Sequence, residues 1–326
     1  MVPHAAVAPL SEPVRLHGLD FLWLELTGKC NLECVHCYAD SSPRLPMQQG
    51  LNLEDWKKTI SDAYGLHCRK IQFIGGEPTL YPHLIELISF ARSLGYTFVE
   101  VYTNGTVLTD KLKEAFIKYK VNLAFSVYSF DKSVHDAITL KFGSQEKTIE
   151  SIKWSIKSGL SIRAAIIDIG LNSSTIEKTK QLLTEIGVTS VDIDRNRGIG
   201  RGSKSVKSTS PMDELCGNCW KGKLCVTPSG EIFPCVFSRF ISIGNVLDGL
   251  ENILLKRELI DFRLQMKQHN QTNKRLRFSA DCSPDECSPD GGGCEPDCTP
   301  NAYCSPEHDD PDDCSPMVGG CSPNEK

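Results

Sequence analysis

Cys30, Cys34 and Cys37 stand in a Cys-x3-Cys-x2-Cys run directly after the apolar stretch Phe21 to Leu26. Three thiolates at this spacing can each take one iron of a [4Fe–4S] cluster, wrapping a single loop around one face of it. The fourth iron is then left without a protein ligand, and an open coordination position is what separates a catalytic metal site from a closed structural one. About forty residues later the chain reads Gly75-Gly76-Glu77-Pro78, whose glycines let the backbone approach a bound group closely. A zinc site is the other use of three such cysteines, but no fourth cysteine lies nearby and zinc leaves the glycine run unexplained.

At these residues the chain resembles the radical S-adenosylmethionine (SAM) enzymes, whose signature is Cys-x3-Cys-x-aromatic-Cys, with His36 in the aromatic place. The resemblance implies that SAM chelates the open iron through its amino and carboxylate groups. One electron from the cluster then cleaves the sulfonium to a 5′-deoxyadenosyl radical, which takes a hydrogen atom from the substrate. It further implies that Gly75, Gly76, Glu77 and Pro78 line the SAM amino group. His36 would offer backbone to adenine, its ring packing as an aromatic would. Polar strand ends, Asn104, Ser126 and Arg163 with Asp194-Arg195, are candidates for the ribose and methionine carboxylate; a satisfied polar group at a barrel mouth is the plainer reading of Ser126 and Arg163.

Those residues need elements to hold them. Apolar runs at 21–27, 70–74, 97–103, 122–128, 161–167 and 190–194 read as strands, and 53–65, 82–94, 108–118, 145–158 and 174–186 read as helices. Strands separated by helices pair in parallel through right-handed crossovers. The expected fold is α/β, a partial (β/α)6 TIM-like barrel followed by a small Cys-rich iron–sulfur extension. The expected divisions are an N-terminal extension at 1–20, the barrel at 21–205 and the extension at 206–326. Ligands in such barrels gather at the C-terminal ends of the strands, where both motifs fall. Cys68 reads as a buried small hydrophobe. The basic, glycine-rich segment 195–207 reads either as an anion or peptide contact or as a solvated linker.

After residue 210 the composition shifts. Cys216-x2-Cys219 and Cys225 precede Thr227-Pro228-Ser229-Gly230-Glu231-Ile232-Phe233-Pro234-Cys235, a strand, a turn and a second strand able to aim two cysteines at one cluster. Cys219, Gly222, Gly230, Pro234-Cys235 and Gly244-Asn245-Val246 resemble the opening of the SPASM iron–sulfur domain. Seven Cys-x-Pro units follow, at Cys282, Cys287, Cys294, Cys298, Cys304, Cys314 and Cys321. Proline so close to a ligand cannot continue a helix, so a chain of turns is expected there. From residue 282 on there are eleven acidic residues against one lysine, too polar to bury a core. Only Cys294-x3-Cys298 repeats a SPASM spacing. With Cys219 and Cys235 these cysteines suffice for one or two auxiliary [4Fe–4S] clusters; an acidic tail without a cluster, or a zinc site, is the alternative.

The net charge of −5 gives no general basic field for nucleic acid. Fifteen cysteines without a signal peptide or a transmembrane-length run point to a reducing cytoplasm, with thiolates on metal. The SPASM resemblance implies a ribosomally made precursor peptide as substrate, an external electron donor, and a crosslink, an epimerised centre or a splicease-type excision as product. With about twenty residues before the first strand, a separate leader-binding partner is expected. A maturase of a folded protein, a small-molecule enzyme of cofactor biosynthesis, or a non-catalytic iron–sulfur or zinc scaffold are the other readings.

Overall fold

The computed structural model describes residues 18–281, with side chains through 269; Cys282 to Cys321 lie outside the described residues. Six parallel strands alternate with helices: β1 (Phe21–Glu25), α1 (Leu53–Gly65), β2 (Lys70–Ile74), α2 (Leu84–Leu94), β3 (Phe98–Thr103), α3 (Asp110–Lys118), β4 (Asn122–Ser126), α4 (Lys132–Thr139), α5 (Ser144–Lys157), β5 (Ile162–Asp168), α6 (Ile176–Glu185) and β6 (Ser190–Arg195). Then come β7 (Lys223–Val226), β8 (Glu231–Phe233), β9 (Gly244–Asn245), α7 (Leu250–Leu254) and α8 (Arg257–Asp281). Each of the six expected strands is present, within a few residues at its ends.

The strands form one sheet ordered β6-β5-β4-β3-β2-β1-β7-β8-β9, the first six being the wall of a partial barrel. The cysteine-bearing hairpin does not stand apart. β7 runs parallel to β1, Phe21 opposite Lys223 and Trp23 opposite Cys225, and β8 and β9 add antiparallel strands. Period-2 alternation then sorts the side chains. Leu22, Leu24, Ile71, Phe73, Val99, Val101, Leu224 and Val226 join one apolar core under the helices. The helices answer it with one face each: Trp56, Ile60 and Ala63 of α1 are buried at helical spacing, and an Asn52–Asp55 capping box starts that helix. Cys68 is wholly buried in this core, its thiol donating to the Lys70 carbonyl at 3.3 Å.

On the opposite sheet face the strands carry polar groups. Arg163 Nε and Nη2 donate to the two Glu100 carboxylate oxygens, each at 2.9 Å, and Gln72 donates to the same carboxylate. Arg163 on β5 reaches Glu100 on β3 past Ala124 on β4, which is small enough to let them meet.

α4 is the one barrel helix that the sequence pattern did not yield. It has only eight residues, starting where the Asp131 carboxylate accepts from Ser133 N and Val134 N. His135 on it is buried, its Nδ1 accepting from Tyr128 N at 3.3 Å, and burial pulls its pKa down to about 4. A histidine held below its ordinary 6.5 binds its proton more readily in the unfolded chain, so its share of stability is full above pH 6.5 and is lost as pH falls towards 4. Urea unfolding across that window should show His135→Asn, which keeps an acceptor but does not titrate, losing less stability on acidification than wild type.

Candidate functional site

The loop that follows β1 folds back on itself, Cys30 N donating to the Ser42 carbonyl at 3.1 Å, with tight turns at Cys34–Cys37 and Cys37–Asp40. The turns bring the three thiols into mutual electrostatic range: burial, with nearby Glu77 and the other two cysteines, pushes Cys30 up, and burial and Cys37 push Cys34 up to about 12. Donors are already aimed at the sulfurs. Leu32 N lies 3.4 Å and Asn104 Nδ2 3.7 Å from Cys30 Sγ, and the Tyr128 hydroxyl bonds Cys34. Among the described residues no three such side chains converge to hold a single metal ion; ligands that each take a different iron need only face one space. N–H and O–H donors on sulfur stabilise thiolate, so the residues fit an iron–sulfur cluster.

Three segments brace this loop. From β2, Gly76 N donates to Thr27 O at 2.7 Å and Glu77 N to Lys29 O at 2.9 Å. The two backbones approach so closely that a Cβ on Gly76 would lie 2.6 Å from the Lys29 carbonyl carbon. The glycines therefore serve a loop-to-loop fit that the sequence did not reveal. Glu77 is buried, accepting from Thr79 N, Thr79 Oγ1, Thr103 Oγ1 and Asn104 N, and burial raises its carboxyl. It joins the ends of β2 and β3 behind Cys30, with Pro78 starting a buried helical turn.

The second brace is the glycine-rich segment, read from sequence as a ligand contact or a linker. Arg201 Nε donates to Cys34 O at 2.8 Å and Nη2 to Ser41 O at 2.7 Å, while Arg201 N donates to Cys37 O at 3.0 Å. Gly200, at φ +55°, passes so near that a Cβ would lie 2.5 Å from the Cys37 and Tyr38 carbonyl oxygens. This segment clamps the cysteine loop, a role visible only once the chain after β6 crosses back over the barrel mouth. The third brace is α4, whose Ile138 and Thr139 carbonyls accept from Val35 N and Glu33 N.

The remaining strand-end candidates divide. Asn104 sits at Cys30 and also donates to Asn31 Oδ1 at 2.9 Å. Ser126 hydrogen-bonds the Tyr102 and Tyr128 side chains. Arg163 is held by Glu100, in line with the plainer reading of a satisfied polar group. His36 packs edge-on to Tyr128 with ring centroids 4.8 Å apart. Its Nδ1 is buried without a hydrogen-bond partner, and burial with Arg201 lowers its pKa to about 4. Asp194 and Arg195 instead pair with Arg197 and Glu214.

A second group of thiols forms beside the hairpin. Cys219 lies between Cys216 and Cys235 and is hydrogen-bonded to both; those bonds, ahead of burial, hold Cys219 up and pull Cys216 down to about 5. Cys216, left unassigned from sequence, is thus a third ligand candidate beside Cys219 and Cys235, and its Cys-x2-Cys spacing to Cys219 was the available signal. Cys225 contacts Glu25 and also lies within electrostatic range of Cys235. The two thiol groups are tied through Glu25, which is salt-bridged to Arg239, four residues past Cys235, and accepts from the Tyr38 hydroxyl, next to Cys37, at 3.2 Å. A cleft of about 350 Å³ opens there, lined by Glu25, Tyr38, Gln49, Gly75, Pro228 and Arg239.

With this geometry, the comparison with known proteins is specific. The radical SAM superfamily pattern matches residues 24–184, and that of the SPASM iron–sulfur cluster-binding domain matches residues 216–283. The chain belongs to the radical SAM superfamily. As a radical SAM enzyme of SPASM type it takes a [4Fe–4S] cluster with SAM and auxiliary iron–sulfur clusters. It is 27% identical over 318 residues to the antilisterial bacteriocin subtilosin biosynthesis protein AlbA of Bacillus subtilis, covering 86% of this chain and 67% of AlbA. It is 24% identical over 294 residues to a probable GTP 3′,8-cyclase of Methanothermobacter marburgensis, covering 72% of this chain and 92% of that protein. In fold it is similar to Streptococcus suis SuiB bound to S-adenosylmethionine, with TM-score 0.64 and 15% identity over 75% of this chain and 67% of SuiB. The radical SAM fold is thus confirmed. Among the described residues no helix is long and apolar enough to cross a membrane.

If Cys216 ligates an auxiliary cluster, iron and acid-labile sulfide in a Cys30/Cys34/Cys37→Ala background should fall by up to about four irons, one cluster's worth, on adding Cys216→Ser. Cys68→Ser in the same background should lose none.

Proposed function

We propose that this chain is a maturase that removes a hydrogen atom from a ribosomally made precursor peptide and drives a net oxidation, closing a crosslink. The observation that carries the reading is the join at Glu25, where Tyr38 from the first cysteine loop and Arg239 from the second meet over one cleft. Cys30, Cys34 and Cys37 would hold the cluster that supplies the electron for SAM cleavage. Cys216, Cys219 and Cys235 would hold an auxiliary cluster, which supplies an electron acceptor, the requirement that separates a crosslink from a redox-neutral epimerisation. The chain's own residues keep the two groups at fixed separation. Arg201 and the Gly75–Glu77 turn pin the first loop, and Glu25–Arg239 pins the second against it. AlbA, by its name a bacteriocin biosynthesis protein, and SuiB, solved with its precursor peptide SuiA, support a peptide as substrate. A larger cleft of about 670 Å³, lined by Ile199, Lys207, Pro211, Phe237, Arg239 and Phe240, offers room for an extended chain beside Arg239.

The test is anaerobic incubation of the reconstituted enzyme with SAM, reductant and short peptides encoded beside its gene, read by mass spectrometry. A product lighter by two hydrogens, formed with 5′-deoxyadenosine, supports the reading. A product of unchanged mass carrying an inverted centre, an excised segment, or turnover of GTP in place of peptide each overturns it.

A further inference from the structure

We infer that the turn joining α4 to α5, Leu140-Lys141-Phe142-Gly143, is the docking surface for a small acidic one-electron carrier protein that reduces the first cluster. The inference rests on the three-cysteine loop holding a reducible cluster. Phe142 is 97% exposed and Leu140 60%, so two large apolar residues face solvent on either side of Lys141. Single exposed apolar residues are ordinary, whereas an apolar pair on a rigid support is what a contact surface needs.

The support here is rigid. Asp136 turns its carboxylate into the turn, accepting from Gly143 N at 2.6 Å, Ser144 Oγ at 2.8 Å and Gln145 N at 3.0 Å. The Thr139 and Ser144 hydroxyls share a further bond at 2.7 Å. Leu140 is held at φ 55°, ψ 33°, a left-handed conformation that strains a non-glycine residue and persists only where the surroundings enforce it.

The turn also lies against the cysteine loop. The Thr139 carbonyl, one residue before Leu140, accepts from Glu33 N at 3.4 Å, and Ile138 O accepts from Val35 N at 3.0 Å, bracketing Cys34. Three residues span at most about 11 Å, so Phe142 is near the backbone of a cluster ligand.

Charge selects the partner. Lys132 is paired with Glu146, and Glu33 with Arg44. Asp136 is turned inward and Asp131 caps the far end of α4. The exposed Lys141 and Lys147, with no ion pair among the described residues, outnumber the one exposed unpaired carboxylate nearby, Glu150 one turn further along α5, so the rim of the patch is net positive in a chain of net charge −5. A carrier whose redox edge is ringed by carboxylates is steered to such a rim. The transfer itself takes one electron out of the carrier and puts one into the cluster, with no bond or proton exchanged.

The full-length enzyme, reconstituted with iron and sulfide, should be assayed for 5′-deoxyadenosine with two reductants: dithionite, which needs no docking surface, and an acidic flavodoxin kept reduced by its reductase and NADPH. Phe142→Asp and Lys141→Glu are each expected to lower the flavodoxin-driven rate about tenfold or more and to leave the dithionite-driven rate at wild-type level. Binding of the oxidised flavodoxin to the enzyme, read from its flavin fluorescence, should weaken about tenfold in both variants, and in wild type should weaken with added salt more steeply than in Lys141→Glu. Equal flavodoxin-driven rates in wild type and both variants overturn the proposal. So does a parallel loss with both reductants, which makes the turn a support of the cluster, or a loss confined to peptide modification, which makes it a peptide site. No dithionite-driven turnover in wild type overturns instead the cluster reading on which the proposal rests.

Discussion

Gly76→Ala is expected to leave the first cluster largely unfilled and to lower SAM cleavage about 100-fold or more, the loss that misplacing a reacting group by an ångström can bring. The added methyl would meet backbone, the Lys29 carbonyl and Gly28 O at 2.8 Å. Neither can swing aside as a side chain would, because Lys29 O is already accepting from Glu77 N and Cys30 follows it directly. The turn after β2 must then lift off the cysteine loop, and Cys30 moves with it. Gly65→Ala is the matched control: it ends α1, nothing lies within 4 Å of a Cβ there, and it should be neutral or slightly stabilising. Iron, sulfide and 5′-deoxyadenosine measured on both variants decide the matter; wild-type iron content in Gly76→Ala would show that the two backbones can separate without cost.

Arg239→Ala should destabilise the fold by about 3–5 kcal/mol, the range for removing one partner of a buried ion pair. Glu25 is buried, and without Arg239 its neighbours are Tyr38 and Cys225, both pushed up by burial first and by Glu25 second, so neither supplies a positive charge. Arg239 also lies over the rings of Phe233 and Tyr38, contacts that alanine deletes as well. Comparing urea midpoints of Arg239→Ala, Glu25→Gln and the double variant isolates the charge: the double variant should regain part of the stability lost by Arg239→Ala alone, because no anion is left stranded. If Arg239→Ala unfolds at the wild-type midpoint, the pair does not hold the hairpin to the barrel.

What was legible in the sequence was whatever rests on local pattern. The six strand positions follow from apolar runs between amphipathic stretches, and the spacing of Cys30, Cys34 and Cys37, with the Gly75–Pro78 motif, was enough to mark them as candidate cluster ligands. The reasons behind other motifs were non-local. The role of Gly76 depends on where Lys29 lies, and that of Gly200 and Arg201 on a crossing that brings residues more than 160 apart within 2.8 Å. Cys216 was within reach of its Cys-x2-Cys spacing, whereas the contact of Cys225 with Glu25 depends on the β7 register against β1. Arg163 could be placed at a strand end but not paired, since Glu100 meets it only across an intervening strand. α4 escaped because eight residues give little more than two turns of periodicity.

The pairing of β7 with β1 bears on how the chain leaves the ribosome. Some 200 residues separate Phe21 from Lys223, so the free edge of β1 waits through the synthesis of the whole barrel before a neighbour arrives. An unpaired parallel strand is a template for pairing with another copy, and contacts so distant in sequence form late. Over that interval the nascent wall is exposed to aggregation along this edge, and any shortened version ending before Lys223 keeps the exposure permanently. The hairpin that carries the second set of cysteines is therefore also the edge guard of the first domain.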